Sequence, residues 1–153
     1  MIHQMLQVRN FHEKMDISPT KRMNTHTITT LLECAAKLKR VAEILEPLGG
    51  IDERYNRIHL IAEETGEFAE ALAVGDEEKA FDGLCDLAYV VLGSAIALDL
   101  PLSHGFEEVH RSNMTKEKQP DDEHGHRVRK KGPNYSPPDL KRVLSDYRQS
   151  QMD

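Results

Sequence analysis

Tryptophan is absent from the 153-residue sequence, and aromatic residues make up only 5% of it. A β-sandwich or barrel draws on aromatic and β-branched side chains to fill its pleated faces, so this composition argues against an all-β fold. Cysteine is nearly absent too. Cys34 and Cys85 are too few to define a disulfide framework, and a reducing, cytoplasmic setting is expected. An excess of positive charge is missing: 26 acidic residues stand against 20 basic ones, a net charge of −6. That disfavours a dedicated nucleic-acid binder, which carries a basic domain. No stretch reaches the roughly 20 consecutive apolar residues of a membrane span. The most apolar one, Leu84 to Leu98, is broken by Asp86, Gly93 and Ser94 and is expected to be a buried helix rather than a membrane crossing. The first eleven residues show no charged-then-apolar leader pattern.

What is present suffices for one core. Hydrophobic residues are 39% of the chain and charged residues 30%, so residues 1–153 are expected to form a single domain. Apolar positions recur at helical spacing. They predict helices over about 1–15, 27–46, 53–74, 77–99 and 103–114. Pro47 with Gly49-Gly50, then Gly75, then Pro101 mark the breaks. Ser136-Pro137-Pro138-Asp139 predicts a last helix over about 137–149, with Ser136 as its cap and Pro137 in its first turn. Residues 16–27 read as a loop and residues 117–135 as a polar arm, acidic at Asp121-Asp122-Glu123 and basic from Arg127 to Lys131. The expected fold is all-α, a helical bundle.

Two helices carry the chemistry. Asp86 sits among Leu84, Cys85, Leu87, Ala88, Tyr89, Val90, Val91 and Leu92, and a helix apolar almost all round is expected to be buried. A lone ionised carboxylate there costs several kcal/mol unless it is paired or metal-bound, on the order of magnitude known for buried ions. Asp82, one turn earlier, lies on the same face. Either one of the two is protonated, or a Lys or Arg is near, or a metal sits between them. The preceding helix adds Glu63, Glu64, Glu67 and Glu70. At about 100° per residue, Glu63, Glu67 and Glu70 fall within about 60° of one another, and Glu64 within about 60° of Glu67. A short connection brings the two helices together antiparallel. Six facing carboxylates would suit a hard cation such as Mg²⁺ or Mn²⁺. Taken alone, an acidic helix face is simply solvated; the two helices together shift the balance toward a site.

Glu63-Glu64-Thr65-Gly66-Glu67, followed by Asp82-Gly83-Leu84-Cys85-Asp86-Leu87-Ala88-Tyr89-Val90-Val91-Leu92-Gly93, resembles the MazG-like, all-α nucleoside triphosphate pyrophosphohydrolases. That superfamily includes dimeric dUTPases, MazZ-type enzymes and phosphoribosyl-ATP pyrophosphohydrolases. The stretches Phe106 to Lys116 and Lys131 to Leu140 agree, and Arg9 to Glu13 agrees more weakly. Residues 20–52 are not accounted for. The family pattern is Glu-Glu-x-x-Glu and then Glu-x-x-Asp. Here the second Glu position holds Gly83, and Asp82 stands one residue away.

The resemblance implies a helical bundle completed by oligomerisation, as a homodimer or homotetramer. It implies Mg²⁺ (or Mn²⁺) held by Glu64, Glu67 and Asp86, with Asp82 as the substitute for the missing Glu. Glu63 would orient or deprotonate the attacking water, or hold a further metal. The implied reaction cleaves the α–β phosphoanhydride bond of a nucleoside triphosphate, giving a monophosphate and pyrophosphate. Lys116 and Asn113, beside Arg111, would contact the phosphates. Lys130 or Lys131 from the basic arm would add to them, and Tyr135 would close over the site. The stretches around Arg111–Lys116 and Lys131–Tyr135 lean toward deoxynucleotides, with dGTP and dUTP foremost and dNTP pool control as the role. Phosphoribosyl-ATP, or nucleotide binding without turnover, are the alternatives. His124 and His126 lack zinc-site spacing and are expected in a solvated loop. Cys85 is expected to be a small core residue. Phe11, His12 and Tyr89 are open between helix packing and contact with substrate.

Overall fold

The computed structural model describes residues 1–17, 25–118 and 129–152. Six α-helices dominate them: α1 (Ile2–Lys14), α2 (Thr25–Leu45), α3 (Glu53–Val74), α4 (Glu77–Ala97), α5 (Leu102–Met114) and α6 (Leu140–Ser150). A 3-10 turn spans Glu46–Leu48. Two-residue strands β1 (Glu117–Lys118) and β2 (Arg129–Lys130) pair antiparallel. The fold is all-α, as the periodicity predicts. The acidic cluster at 121–123, His124, His126 and Arg127 lie outside the described residues. The chain forms two compact units, Lys21–Leu100 and Met1–Thr20 with Pro101–Asp153.

In the first unit α3 lies between α2 and α4. Asp52 caps α3 by accepting the Arg54 backbone N–H at 2.9 Å, and the Arg54 guanidinium beside it holds its carboxyl down at about 2. Gly75, at φ 75°, closes α3 in the left-handed conformation that glycine adopts without strain. Asp76 then caps α4 through the Lys79 N–H at 3.1 Å. Only Gly75 and Asp76 separate the helices, so α4 must run back along α3. The core between the three helices is built from small side chains: Ala35 and Ala42 of α2, Ala62, Ala71 and Ala73 of α3, and Ala80 of α4.

Several expectations fail on α4. Among the described residues only Ala80, Gly83 and Ser94 of this helix are buried, because α3 covers one side of it and leaves the rest open. Phe81 is 70% exposed, Tyr89 78% and Ile96 83%. Cys85 is exposed rather than in the core, as is Cys34. Asp86 is exposed as well, so within one chain it carries no desolvation that demands a partner. The helix also reaches 21 residues, and an 18-residue stretch of it has a mean hydropathy of 1.5, long and apolar enough by length and composition to cross a membrane. The expectation that it is too short does not hold. Asp82 and Asp86 remain inside it, and carboxylates within hydrocarbon are costly.

The second unit is tied by polar contacts. The Lys14 ammonium donates to the Met114 carbonyl, and Lys118 pairs with Asp16. Glu108 of α5 is buried at 7% exposure. It accepts from Arg111 Nε and Nη2 at 2.9 and 2.8 Å and from the Asp139 backbone N–H at 2.8 Å. Arg111 also donates to Ser136 Oγ and the Pro137 carbonyl, both at 2.9 Å. The last helix therefore starts three residues later than predicted. A residue before proline is disfavoured in the α region, and Pro137, ahead of Pro138, lies outside the helix. Asp139, not Ser136, is the cap, accepting from the Arg142 N–H at 2.9 Å.

Arg111 and the Asp139 N–H hold the Glu108 carboxyl at about 2, below its ordinary 4.5. Its contribution to stability is complete above pH 4.5 and is lost as the pH falls through about 2. Replacing Glu108 by Gln is expected to lower Tm at neutral pH. The gap to the wild type should close on acidification from about pH 5 to about pH 2. A gap that stays constant in thermal unfolding would remove Glu108 from this role.

Candidate active site

The acids of α3 and α4 lie on two helices that pack together. Glu63 and Glu64 are half-buried on α3, and Glu67 is exposed. Asp82 and Asp86 are exposed on α4. The Glu64 carboxyl is pushed above the ordinary range of a glutamate, first by burial and then by the negative charges of Asp86, Glu67, Glu63 and Asp82. One side chain thus feels the four other candidate acids, from two helices, in a common field. Among the described residues Glu64, Glu67, Asp82 and Asp86 form no ion pair. Glu70 leaves the cluster: Lys39 of α2 pairs with it and lowers its pKa. The sequence shows no Lys or Arg within the acidic stretch of α3, and the compensating cation comes from another helix.

Helix geometry explains the grouping. At about 100° per residue, Glu64 shares the α4-facing side of α3 with Phe68 and Ala71. On α4, Asp82 and Asp86 fall between the buried line of Ala80, Gly83 and Ser94 and the exposed apolar line of Phe81, Leu92 and Ile96. The acids therefore flank the packed seam rather than lie in it. Asp82 also lines an open depression of about 430 Å³ with Asp76, Glu78, Lys79, Phe81 and Cys85.

His59 is a participant that the sequence reading missed. Its Nδ1 lies 3.0 Å from the Ala42 carbonyl and donates to it. That assigns the proton to Nδ1 and turns Nε2 toward Glu63, 3.6 Å from its carboxylate. The signal was available as the i, i+4 spacing of His59 and Glu63, but only the α2 carbonyl decides which way the ring faces.

The donor set is chemically suited to a hard divalent cation: carboxylate oxygens, a surplus of negative charge and no compensating ion pair on four of the acids. Among the described residues no three of them stand close enough to one another to hold a metal ion already. The suitability lies in charge and ligand type, not in a preformed cage.

The residues proposed from sequence for phosphate contact belong to the other unit. Arg111 is engaged by Glu108, Ser136 and Pro137 as described. Asn113 and Lys116 are half-buried where α5 ends, the Asn113 carbonyl accepting the Lys116 N–H at 3.0 Å. Lys131 stands 5.1 Å from the centroid of the Tyr135 ring, a cation–π pair. The side chain of Lys130 lies outside the described residues. An open depression of about 900 Å³ runs along α1, lined by Arg9, His12 and Phe106 among others.

Residues 50–113 match the family model for phosphoribosyl-ATP pyrophosphohydrolase. That family lies within the MazG-like nucleotide pyrophosphohydrolase superfamily. Over these residues the chain is similar to that superfamily. The match spans α3, α4 and most of α5, and it includes all five acids that share the field at Glu64. It indicates an enzyme acting on a phosphoanhydride bond. No curated protein and no solved structure gives a significant match. Asn113 closes the matched stretch, while Lys116, Lys131 and Tyr135 lie beyond it.

With divalent ions chelated, the Glu64 charge is a liability. Its raised pKa means that the charged form costs stability above that pKa, a cost absent below the ordinary 4.5. Glu64→Gln is expected to raise the metal-free Tm at neutral pH, with the advantage vanishing in acid. A variant less stable than the wild type at neutral pH would show that Glu64 is not under like-charge repulsion.

Proposed function

We propose that this MazG-like protein hydrolyses the α–β phosphoanhydride bond of a deoxynucleoside triphosphate, with dGTP and dUTP foremost, releasing a monophosphate and pyrophosphate. Control of the dNTP pool is the role that fits this reaction. The observation that carries the reading is the half-buried Glu64, raised by burial and by four further acids on two helices. A site with that surplus charge suits Mg²⁺, or Mn²⁺ in its place. In this reading Glu64, Glu67, Asp86 and Asp82 hold the cation, which when bound neutralises phosphate charge and acidifies water. Glu63 orients the water and takes its proton. Lys116, Asn113 and Lys131, with Tyr135 beside Lys131, are the candidates for phosphate contact that the family resemblance names. Arg111 serves chiefly to hold the start of α6.

A second substrate, phosphoribosyl-ATP, is favoured by one finding, the family whose model residues 50–113 match. The same acids would serve it, since the bond broken is of the same kind.

The exposed apolar line of α4, Phe81, Tyr89, Leu92 and Ile96, is best covered by a second copy of the chain. Water contact along such a line is unfavourable, and Asp82 and Asp86 would then stand at the rim of the covered face. We infer a homodimer or homotetramer, acting on a small nucleotide without membrane or nucleic acid. The two exposed thiols fit a reducing cytoplasm.

Two measurements test this reading. Purified protein is given each NTP and dNTP, dUTP and phosphoribosyl-ATP, with Mg²⁺ and separately with Mn²⁺. Monophosphate and pyrophosphate should form from one of them, and Asp86→Ala or Glu67→Ala should lower kcat by about 100-fold or more. Binding without product would instead identify a nucleotide-binding bundle that does not turn over. Light scattering should give a mass of two or four chains, and Tyr89→Glu combined with Ile96→Glu should reduce it to one. A monomeric wild type would refute the covered face.

A further inference from the structure

The helix contacts on either side of α3 are set by glycines. Gly66, within the acidic stretch itself, faces α2. A Cβ there would lie 3.2 Å from the Lys39 side chain, 3.4 Å from the Ala35 carbonyl and 3.4 Å from Leu38 Cβ. Gly83 faces α3 from α4, and the approach is tighter in kind. A Cβ at 83 would lie 3.2 Å from Phe68 Cα, 3.2 Å from Phe68 N and 3.3 Å from Phe68 Cβ. At Gly66 one neighbour is the flexible stem of a lysine. At Gly83 all three are backbone or the first side-chain atom, which cannot swing away. Any side chain at 83 therefore has to push the helices apart.

This contact lies at the acids. Phe68 follows Glu67 directly and stands one turn beyond Glu64. Gly83 follows Asp82 directly and stands three residues before Asp86. Moving α4 outward by a few tenths of an ångström changes the separation of both aspartates from Glu64 and Glu67 together. Position 83 is also where the family pattern places its Glu. In this chain that position points into the seam, among backbone atoms. Asp82, one residue along, is exposed beside the seam. A ligand at 83 and the present helix spacing exclude each other.

We propose that Gly83 is a positioning residue: its lack of a side chain sets the α3–α4 distance at the acids, so that Asp82 and not residue 83 presents the first carboxylate of α4. An acid installed at 83 weakens cation binding instead of completing the family pattern. The inference rests on the reading of these acids as a divalent-cation site.

The test is Mn²⁺ binding followed by electron paramagnetic resonance, on full-length protein at a temperature where circular dichroism shows every variant folded. Tm is measured separately. Gly83→Ala should weaken Mn²⁺ affinity by about tenfold or more, the size expected when a support of a metal site is lost. Gly83→Glu should bind no better than Gly83→Ala despite its added carboxylate. Asp82→Ala, a surface change, should lose affinity with little effect on Tm. Ala73→Gly, a buried position of α3 outside the acids, should lower Tm and leave affinity unchanged. The proposal is overturned if Gly83→Glu binds Mn²⁺ as tightly as the wild type or tighter. It is overturned if Gly83→Ala lowers only Tm, or if Asp82→Ala binds like the wild type. Wild-type protein that takes up no Mn²⁺ would refute the cation site itself, and the inference with it.

Discussion

Close approach of backbones holds this arrangement together. The three helices of the central unit meet through Ala35, Ala42, Ala62, Ala71, Ala73, Ala80, Gly66 and Gly83 rather than through large side chains. No large side chain among the described residues is fully buried. Small residues let helix axes come near enough for dispersion contacts along the whole seam. They also leave the long acidic side chains to project at its edges. Whatever cation chemistry the acids perform depends on this spacing, because a fixed seam is what keeps glutamates of α3 facing aspartates of α4.

Charge is the second organising feature, and the two units treat it in opposite ways. Around Glu108 every negative oxygen is matched: two nitrogens of Arg111, the Asp139 N–H and the nearby Arg142. The carboxyl is held low and the start of α6 is fixed. Around Glu64 the negative charges are left unmatched, and the carboxyl is held high. Folding tolerates an unfavourable cluster of that kind at the edge of a contact, where water still screens part of it. Lys39 removes Glu70 from the cluster, so the unmatched set is narrower than the run of acids along α3 suggests.

Much of this was legible in the sequence. The bounds of α3 follow from Asp52 and Gly75, and those of α4 from Asp76 and Pro101, because caps and breakers act within a few residues. The motif of Glu63, Glu64 and Glu67 with Asp82 and Asp86 was legible for the same reason: helical periodicity fixes which neighbours share a face. Less legible was the exposure of α4. Its composition reads as buried on all sides, yet among the described residues α3 is the helix that packs along it, and Cys85, Tyr89 and Asp86 end on the open side. The start of α6 was misjudged because two consecutive prolines exclude the first helical turn, while Glu108, distant in sequence, supplies the acceptor for Asp139.

The sequence by itself determined the helices, their order and the acids they carry, since those depend on local propensity, capping and a period of about 3.6 residues. Tertiary structure alone decided three matters: that Lys39 neutralises Glu70, that the Ala42 carbonyl turns His59 toward Glu63, and that Gly83 lies against the Phe68 backbone. Each joins residues of different helices at a distance of a few ångströms. That distance is fixed by how the helices pack, which the spacing of residues along any one of them does not contain.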